Sequence, residues 1–209
     1  MMKVKGNKET KVKKSLRIIR KEEIYNKALD LFVKKGYDAT SMAMIAKVLG
    51  MSKPNLYYYC NNKENLLYQI HFYDLQKRFV PILDEAEQIS DPQDRIIFFL
   101  KKFTLMCTSS PASRVLIHEI RSLRSGHRKK TILAWARAYE LVRGAIKELQ
   151  ESGRARKFRD SFLTFLATGM VFWIVYWFDY GRQANSEELA ETLVQVYLNG
   201  LLITKNEEN

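Results

Sequence analysis

The stretch Thr40-Ser41-Met42-Ala43-Met44-Ile45-Ala46-Lys47-Val48-Leu49-Gly50-Met51-Ser52-Lys53-Pro54-Asn55-Leu56-Tyr57-Tyr58-Tyr59 divides at Gly50 into two short segments, each opened by a hydroxyl residue. Met42, Ile45, Ala46 and Leu49 repeat at helical spacing, with Thr40 or Ser41 as N-cap and Gly50 as the break. Ser52 caps a second segment, where Pro54 is tolerated because first-turn N–H groups lack an intrahelical partner. Upstream, Ile24, Ala28, Leu31 and Phe32 form one face of a helix over Arg20–Lys35 that stops at Gly36. Three helices with a tight Gly turn between the second and third form a helix-turn-helix unit. Its buried set is expected to be Phe32, Ile45, Ala46, Leu49, Leu56 and Cys60. Consecutive helical residues lie about 100° apart, so Tyr57, Tyr58 and Tyr59 cannot all face one core. With Leu56 inward, Lys53, Pro54, Tyr57 and Tyr58 face outward and suit a major groove. There Lys53 can donate to guanine, Pro54 or a ring edge can touch a thymine methyl, and phenols can reach phosphates. Thr40, Ser41 and Lys63 stand at helix starts, where phosphates are attracted.

Working outward, Lys63 opens a long amphipathic stretch to about Ile89, with Pro81 predicting a kink near Phe79 or Val80. Asp91-Pro92 and Ser110-Pro111 start two more helices, the second over Ala112–Leu123. Further helices are expected over His127–Glu151, Ser161–Phe178 and Ser186 to about Thr204, with a loop over Gly181–Asn185. The expectation is an all-α chain of nine helices without a strand. Only four prolines and nine glycines punctuate 209 residues, of which 46% are apolar, in keeping with long helices and a sizeable core.

The net charge of +12 is unevenly placed. Residues 1–65 hold 15 basic and 6 acidic groups and so supply nine of the twelve positive charges. A basic front on a nearly neutral, aromatic-rich rear suits a polyanion partner at the front. The nine Lys/Arg of Met1–Lys21 have no apolar run among them, unlike a secretory signal. Cys60 and Cys107 stand alone, so neither a disulfide framework nor a Cys-based zinc site is expected, and a reducing cytoplasm fits.

The run from Ala28 through Leu31-Phe32, Gly36-Tyr37, Thr40-Ser41-Met42, Ile45-Ala46 and Leu49-Gly50-Met51-Ser52-Lys53-Pro54-Asn55-Leu56-Tyr57-Tyr58-Tyr59 to Lys63-Glu64-Asn65-Leu66-Leu67 resembles the DNA-binding domain of the tetracycline-repressor (TetR) family. The likeness covers about fifty contiguous residues. It implies DNA contacts at Thr40, Lys53, Pro54, Asn55, Tyr57, Tyr58 and Lys63, and the capping residues Ser41 and Ser52 complete the candidate DNA-binding set. It also implies a division into a basic flexible arm (1–15), a helix-turn-helix domain (16–65) and an all-helical effector-binding and dimerisation domain (66–209). Cys60 departs from the family pattern, which has a large aromatic there, and looser packing between the third and fourth helices is expected.

Ser161–Phe178 runs eighteen residues without a charge, the lower length limit for a bilayer span. Ser161, Thr164, Thr168 and Gly169 dilute it, and burial on both faces explains such a helix equally well. The resemblance implies that it pairs, with the last helix, against a twofold copy in a homodimer, and no membrane partner is expected. The segments His118-Glu119-Ile120, Arg137-x-Tyr139-Glu140 and Trp173-x-x-Tyr176-Trp177 are similar to TetR-type regulators of fatty-acid and acyl-CoA catabolism. The effector-binding candidates are Phe103, Met106, His118, Arg121, Arg137, Tyr139, Trp173, Tyr176 and Trp177, an aromatic slot with an Arg-rich mouth for an acyl-CoA or other hydrophobic anion. The arginines would otherwise pair with Glu119 or Glu140. No nucleotide-binding glycine motif occurs, His118-Glu119 lacks the second His of a zinc-protease helix, and His71, His118 and His127 are too scattered for a metal cluster. No cofactor, metal or catalytic activity is expected. A ligand-responsive repressor of a palindromic operator is the leading expectation, with a membrane-associated helical protein carrying a basic lipid-binding arm as its rival.

Overall fold

The computed structural model describes the backbone of residues 5–178 and 185–202 and the side chains of residues 18–178 and 185–202. The chain divides into two compact units, Met1–Ile70 with Ser122–Arg124, and His71–Arg121 with Ser125–Asn209. Among the described residues there is no strand, and one isolated antiparallel bridge joins Ala155 to Leu202.

In the first unit, α1 (Lys5–Lys35), α2 (Met42–Val48) and α3 (Lys53–Tyr59) precede the start of α4 (Lys63–Asp74). α1 begins well before the expected Arg20, into the residues assigned to the arm; residues 1–4 lie outside those described. No glycine or proline interrupts Asn7–Lys35, so helix propensity carries the helix that far. Gly36 and Gly50 hold φ of +85° and +61°, conformations that a side chain would strain. At Gly50 the N–H bonds the Lys47 carbonyl (3.2 Å) while the Met51 N–H reaches back to Ala46 (3.0 Å), a Schellman arrangement that ends α2 sharply. Ser41 and Ser52 cap α2 and α3 by accepting from the N–H of Met44 (3.2 Å) and Asn55 (3.4 Å). Ile24, Ala28 and Phe32 of α1, Ile45, Ala46 and Leu49, Leu56, and Leu66, Leu67 and Ile70 of α4 are all buried. Cys60 is buried with them, its thiol donating to the Leu56 carbonyl (3.5 Å), so the position where the resemblance implies an aromatic is filled here by a compact, inward thiol.

The second unit is built around α6 (Pro92–Thr108), which packs against α5 (Val80–Glu87), α7 (Ala112–His118), α8 (Ser125–Glu151), α9 (Asp160–Trp177) and α10 (Ser186–Leu201). Between α4 and α5 the chain makes a π turn, Leu75–Phe79, in which the Val80 N–H bonds the Leu75 carbonyl. The kink that Pro81 predicts is thus taken up just upstream by a wider turn, because the proline ring lacks an N–H and crowds the preceding carbonyls. Counting 63–87 as one interrupted helix, the described residues hold nine helices, as the sequence indicates. The helix expected over Ala112–Leu123 tightens into a 3₁₀ turn at Glu119–Ser122. Asp91 caps α6 by accepting from Gln93 (2.9 Å) and Asp94 (3.1 Å), and Asn185 caps α10 in the same way. Of the expected last loop and helix end, 181–184 and Thr204 lie outside the described residues.

Candidate nucleic-acid interface and effector cleft

The outer face of α3 is set by its phase. Leu56 is fully buried, and one residue on Tyr57 is 46% exposed, Tyr58 is 69% exposed and Tyr59 half-buried. Lys53, Pro54 and Asn55 are exposed on the first turn beside them. A seven-residue helix therefore offers an ammonium, a proline ring, an amide and two phenols to the solvent, with the rings of Tyr58 and Tyr59 meeting edge to face at 5.4 Å. Ser41 and Ser52 are exposed too. Their hydroxyl oxygens accept the capping bonds, which leaves each O–H free to donate to a phosphate oxygen.

Two of the expected contact residues serve the fold. Thr40 is only 1% exposed, and its hydroxyl donates to the Gly36 carbonyl (2.7 Å) and toward that of Leu31 (3.4 Å). It braces the turn after α1 rather than presenting a hydroxyl to DNA, because the positive-φ turn at Gly36 brings it back over the end of α1. Lys63 is half-buried; its ammonium donates to the carbonyls of Tyr37 (2.9 Å) and Asp38 (3.2 Å) and lies 4.3 Å from the centre of the Tyr37 ring. Two of its three N–H bonds are thus committed to the turn, and one remains for a phosphate.

In the second unit a cleft of about 390 Å³ opens between α6, α8 and α9, within the range of small-molecule sites. Phe99 and Phe103 line it from α6, Ile132, Trp135, Ala136, Ala138 and Tyr139 from α8, and Phe165, Thr168, Gly169 and Phe172 from α9. The rings form a continuous wall: Phe103 lies 5.7 Å from both Trp135 and Phe172, Trp135 lies 5.4 Å from Phe172, and Tyr139 lies 5.4 Å from Phe165. The lining carries no charge, so it suits an alkyl or aryl group.

Of the nine effector candidates, only Phe103 and Tyr139 reach this cleft. Met106 packs at the edge of the core. His118 and Arg121 bond one another (2.6 Å), with His118 also against Glu119 (3.0 Å), at the end of α7. Arg137 is held by Glu87 (2.6 and 2.8 Å) and Asp84 (2.6 Å) of α5, and Arg143 by Asp160 (2.7 Å), with Glu140 at 3.8 Å. The arginines are thus paired structurally: Arg143 reaches the expected Glu140 but is held more closely by Asp160, and the partners of Arg137 lie on another helix. Trp173, Tyr176 and Trp177 point away from the cleft; the two tryptophans are 66% and 70% exposed and lie 5.6 Å apart. The cleft residues that sequence reasoning leaves out of the site are Phe99, Trp135, Phe165, Thr168, Gly169 and Phe172 above all. Those on α9 follow i, i+3, i+4, i+7 from Phe165, beside the buried row Leu163, Ala167, Val171 and Val175, and that phase is the available signal.

Along α9, Phe162, Leu166, Trp173, Tyr176 and Trp177 form an exposed apolar stripe, opposite the buried row. By length and composition this helix could cross a membrane. Its inner face is committed to α6, α8 and α10, the arrangement of a protein-packed helix with one unpartnered side.

The family model for bacterial regulatory proteins of the tetR family matches residues 24–70, and one for a tetracyclin repressor-like C-terminal domain matches residues 90–201. Among curated proteins, the HTH-type transcriptional regulator QacR of Staphylococcus aureus is 46% identical over 50 residues, 24% of this chain and 27% of QacR. The match thus spans about a quarter of that relative's length. Among solved structures, the TetR family regulator PfmR of Thermus thermophilus is 29% identical, with a TM-score of 0.79 over 85% of this chain and 97% of PfmR. AibR, solved in complex with isovaleryl coenzyme A and operator DNA, is 27% identical, with a TM-score of 0.77 over 85% of this chain and 97% of AibR. With the front helices, the rear helical unit and more than half of the sequence accounted for, the chain belongs to the tetR family of bacterial regulatory proteins.

Proposed function

We propose that this chain is a cytoplasmic, ligand-responsive transcriptional repressor that binds a palindromic operator as a homodimer and is released by a hydrophobic or acyl-CoA-type effector. The observation that carries the reading is the outer face of α3, where Lys53, Pro54, Asn55, Tyr57 and Tyr58 stand exposed above a buried Leu56. This set of an ammonium, an amide, a proline ring and phenols matches what major-groove edges and phosphates offer. AibR, a relative solved with isovaleryl coenzyme A and operator DNA, supports both classes of partner. Dimerisation assigns a partner to the exposed stripe of α9 and, beside it, α10. A twofold mate would set two recognition helices about one DNA turn, roughly 34 Å, apart.

The effector occupies the α6–α8–α9 cleft. Its signal runs through α4, of which Lys63–Ile70 belongs to the first unit and His71–Asp74 to the second. Induction is then a difference in affinity between two spacings of the recognition helices, with coupling of order 1–3 kcal/mol. The test uses a duplex selected from a random-sequence library by the full-length protein. Tyr57→Ala is expected to weaken binding to that duplex by roughly tenfold to a hundredfold, the value of one good groove contact, while the dimer and the helical circular-dichroism signal persist. An unchanged gel-shift titration would overturn the reading. The membrane rival predicts instead that the protein pellets with anionic liposomes.

A further inference from the structure

Along the groove between α8 and α9 the chemistry changes within one helical turn. Tyr139 lines the aromatic cleft. Arg143, one turn further along α8, opens a second concavity of about 600 Å³, lined by Arg143, Lys147 and Gln150 of α8 and by Lys157, Phe158 and Arg159 of the segment entering α9. Its acids are Glu151 and Asp160, so four cations face two carboxylates. Asp160 holds Arg143 (2.7 Å) and lies 3.6 Å from the Lys147 ammonium, and the Arg143 guanidinium keeps its carboxyl below the usual range and therefore charged. Lys157 and Arg159 are exposed and have no ion-pair partner among the described residues. Their segment is nonetheless anchored: the Gln150 side-chain amide donates to the carbonyls of Arg156 (2.9 Å) and Phe158 (2.7 Å), and the Arg159 guanidinium sits 4.9 Å from the Phe162 ring. Two unneutralised cations are thus held at the rim of a concavity instead of trailing in a loose loop.

We propose that this basic concavity binds the phosphates of the effector whose acyl chain fills the aromatic cleft. The effector is then an acyl group on a phosphorylated carrier rather than a neutral apolar molecule. The proposal rests on the effector reading above and decides between its two ligand classes. From Tyr139 to Lys147 the helix rises about 12 Å, a span that an extended linker between acyl group and phosphates can bridge. Phosphate oxygens suit this lining, since Arg159 offers a planar fork of donors and Lys157 a mobile point charge. An acyl thioester of a nucleotide carrier and a lysophospholipid share this chemistry, and the experiment separates them.

Full-length protein is titrated with decanoyl-CoA, with decanoyl lysophosphatidate and with methyl decanoate, which has the same acyl chain without phosphate, followed by calorimetry and tryptophan fluorescence. The same titrations are made on a Lys157→Ala/Arg159→Ala variant, whose two exposed positions leave the melting temperature unchanged. The expected result is that decanoyl-CoA binds at least about tenfold more tightly than methyl decanoate, that the variant loses this advantage, and that methyl decanoate binds both proteins alike. Preference for lysophosphatidate over decanoyl-CoA, with the same loss in the variant, supports the phosphate site and assigns a lipid source. Equal binding of decanoyl-CoA by the two proteins, or of methyl decanoate and decanoyl-CoA by the wild type, overturns the proposal and leaves the effector reading standing. If no ligand binds, or none alters affinity for the selected duplex, the effector reading falls with it.

Discussion

The two units use aromatic residues in opposite ways. In the first, the rings of Tyr57 and Tyr58 are displayed outward from a helix of seven residues, and the core beneath is aliphatic apart from Tyr25, Phe32 and Tyr37. In the second, Phe79, Phe99 and Phe103 form a buried aromatic stack, Trp135 and Phe172 flank it half-buried, and a cleft opens along its edge. The difference is one of physical task. A surface that meets DNA needs rings with polar tips held by local helix phase, whereas a site for an apolar ligand needs rings gathered from several helices with few polar groups. The first depends on a few adjacent residues and the second on tertiary packing, so substitutions should act on different observables in the two units.

The largest expected effect lies in the second unit. Phe103 is buried against Phe79, Phe99, Trp135 and Phe172 while one edge lines the cleft. Phe103→Ala should lower stability by about 3–5 kcal/mol, since it removes a large buried ring and enlarges a space that the surrounding helices cannot close. Urea denaturation followed by circular dichroism measures it. A loss below about 1 kcal/mol would mean that the stack is loose and that the contrast between the units fails.

The same contrast governs what the sequence discloses. On α3 the choice of inward and outward residues follows from a 100° step between neighbours, so Leu56, Tyr57 and Tyr58 are assignable from local phase alone. Thr40 is not, because its burial depends on the turn at Gly36 folding it back over α1. On α9 the phase is equally present, yet the expectation that aromatic residues face the ligand puts Trp173, Tyr176 and Trp177 in the cleft. The helix buries instead Leu163, Thr164, Ala167, Val171 and Val175, turns Phe165 and Phe172 to the cleft, and leaves Trp173, Tyr176 and Trp177 outside. The partners of Arg137 lie 50 and 53 residues away in sequence, and that pairing is fixed only by how α5 meets α8. The basic concavity joins residues that stand apart in the sequence, Arg143 and Lys147 on their helix and Lys157 and Arg159 on the segment entering α9, and only the folded groove brings them together.

A second expected effect, of about 3 kcal/mol, depends on pH and also belongs to the second unit. His71 is 2% exposed, its Nε2 has no partner, and its surroundings are a hydrogen bond to the backbone of Leu116 and the charge of Glu119. Burial penalises the imidazolium and pulls the pKa from 6.5 down to about 4. The unfolded chain therefore takes up a proton first as the pH falls. The contribution of His71 to stability is complete above about pH 6.5, declines between 6.5 and 4 by about 3 kcal/mol, and changes no further below. Chemical denaturation at pH 7.5, 6, 5 and 4 follows the decline, and His71→Gln should flatten it across that window. An equal decline in the variant would assign the acid sensitivity to other groups.

The smallest effect tests the first unit and separates its fold from its binding surface. Ser52 caps α3 by accepting from the Asn55 N–H, and its hydroxyl proton faces solvent beside Lys53. Ser52→Ala should cost about 1 kcal/mol of stability, the usual value of a lost N-cap, because the N–H that Ser52 held turns to water. If the hydroxyl also donates to a phosphate, affinity for the selected duplex falls further than that, and the dependence of binding on salt stays nearly unchanged because no cation is removed. Ser52→Gly provides the control: it restores most of the cap's backbone tolerance at a cost of a few tenths of a kcal/mol, yet it cannot donate. A capping role alone therefore leaves Ser52→Gly binding DNA like the wild type, whereas a phosphate contact leaves both variants weakened to a similar degree. Either outcome shows how far the recognition surface extends past Tyr57 and Lys53 toward the start of the helix.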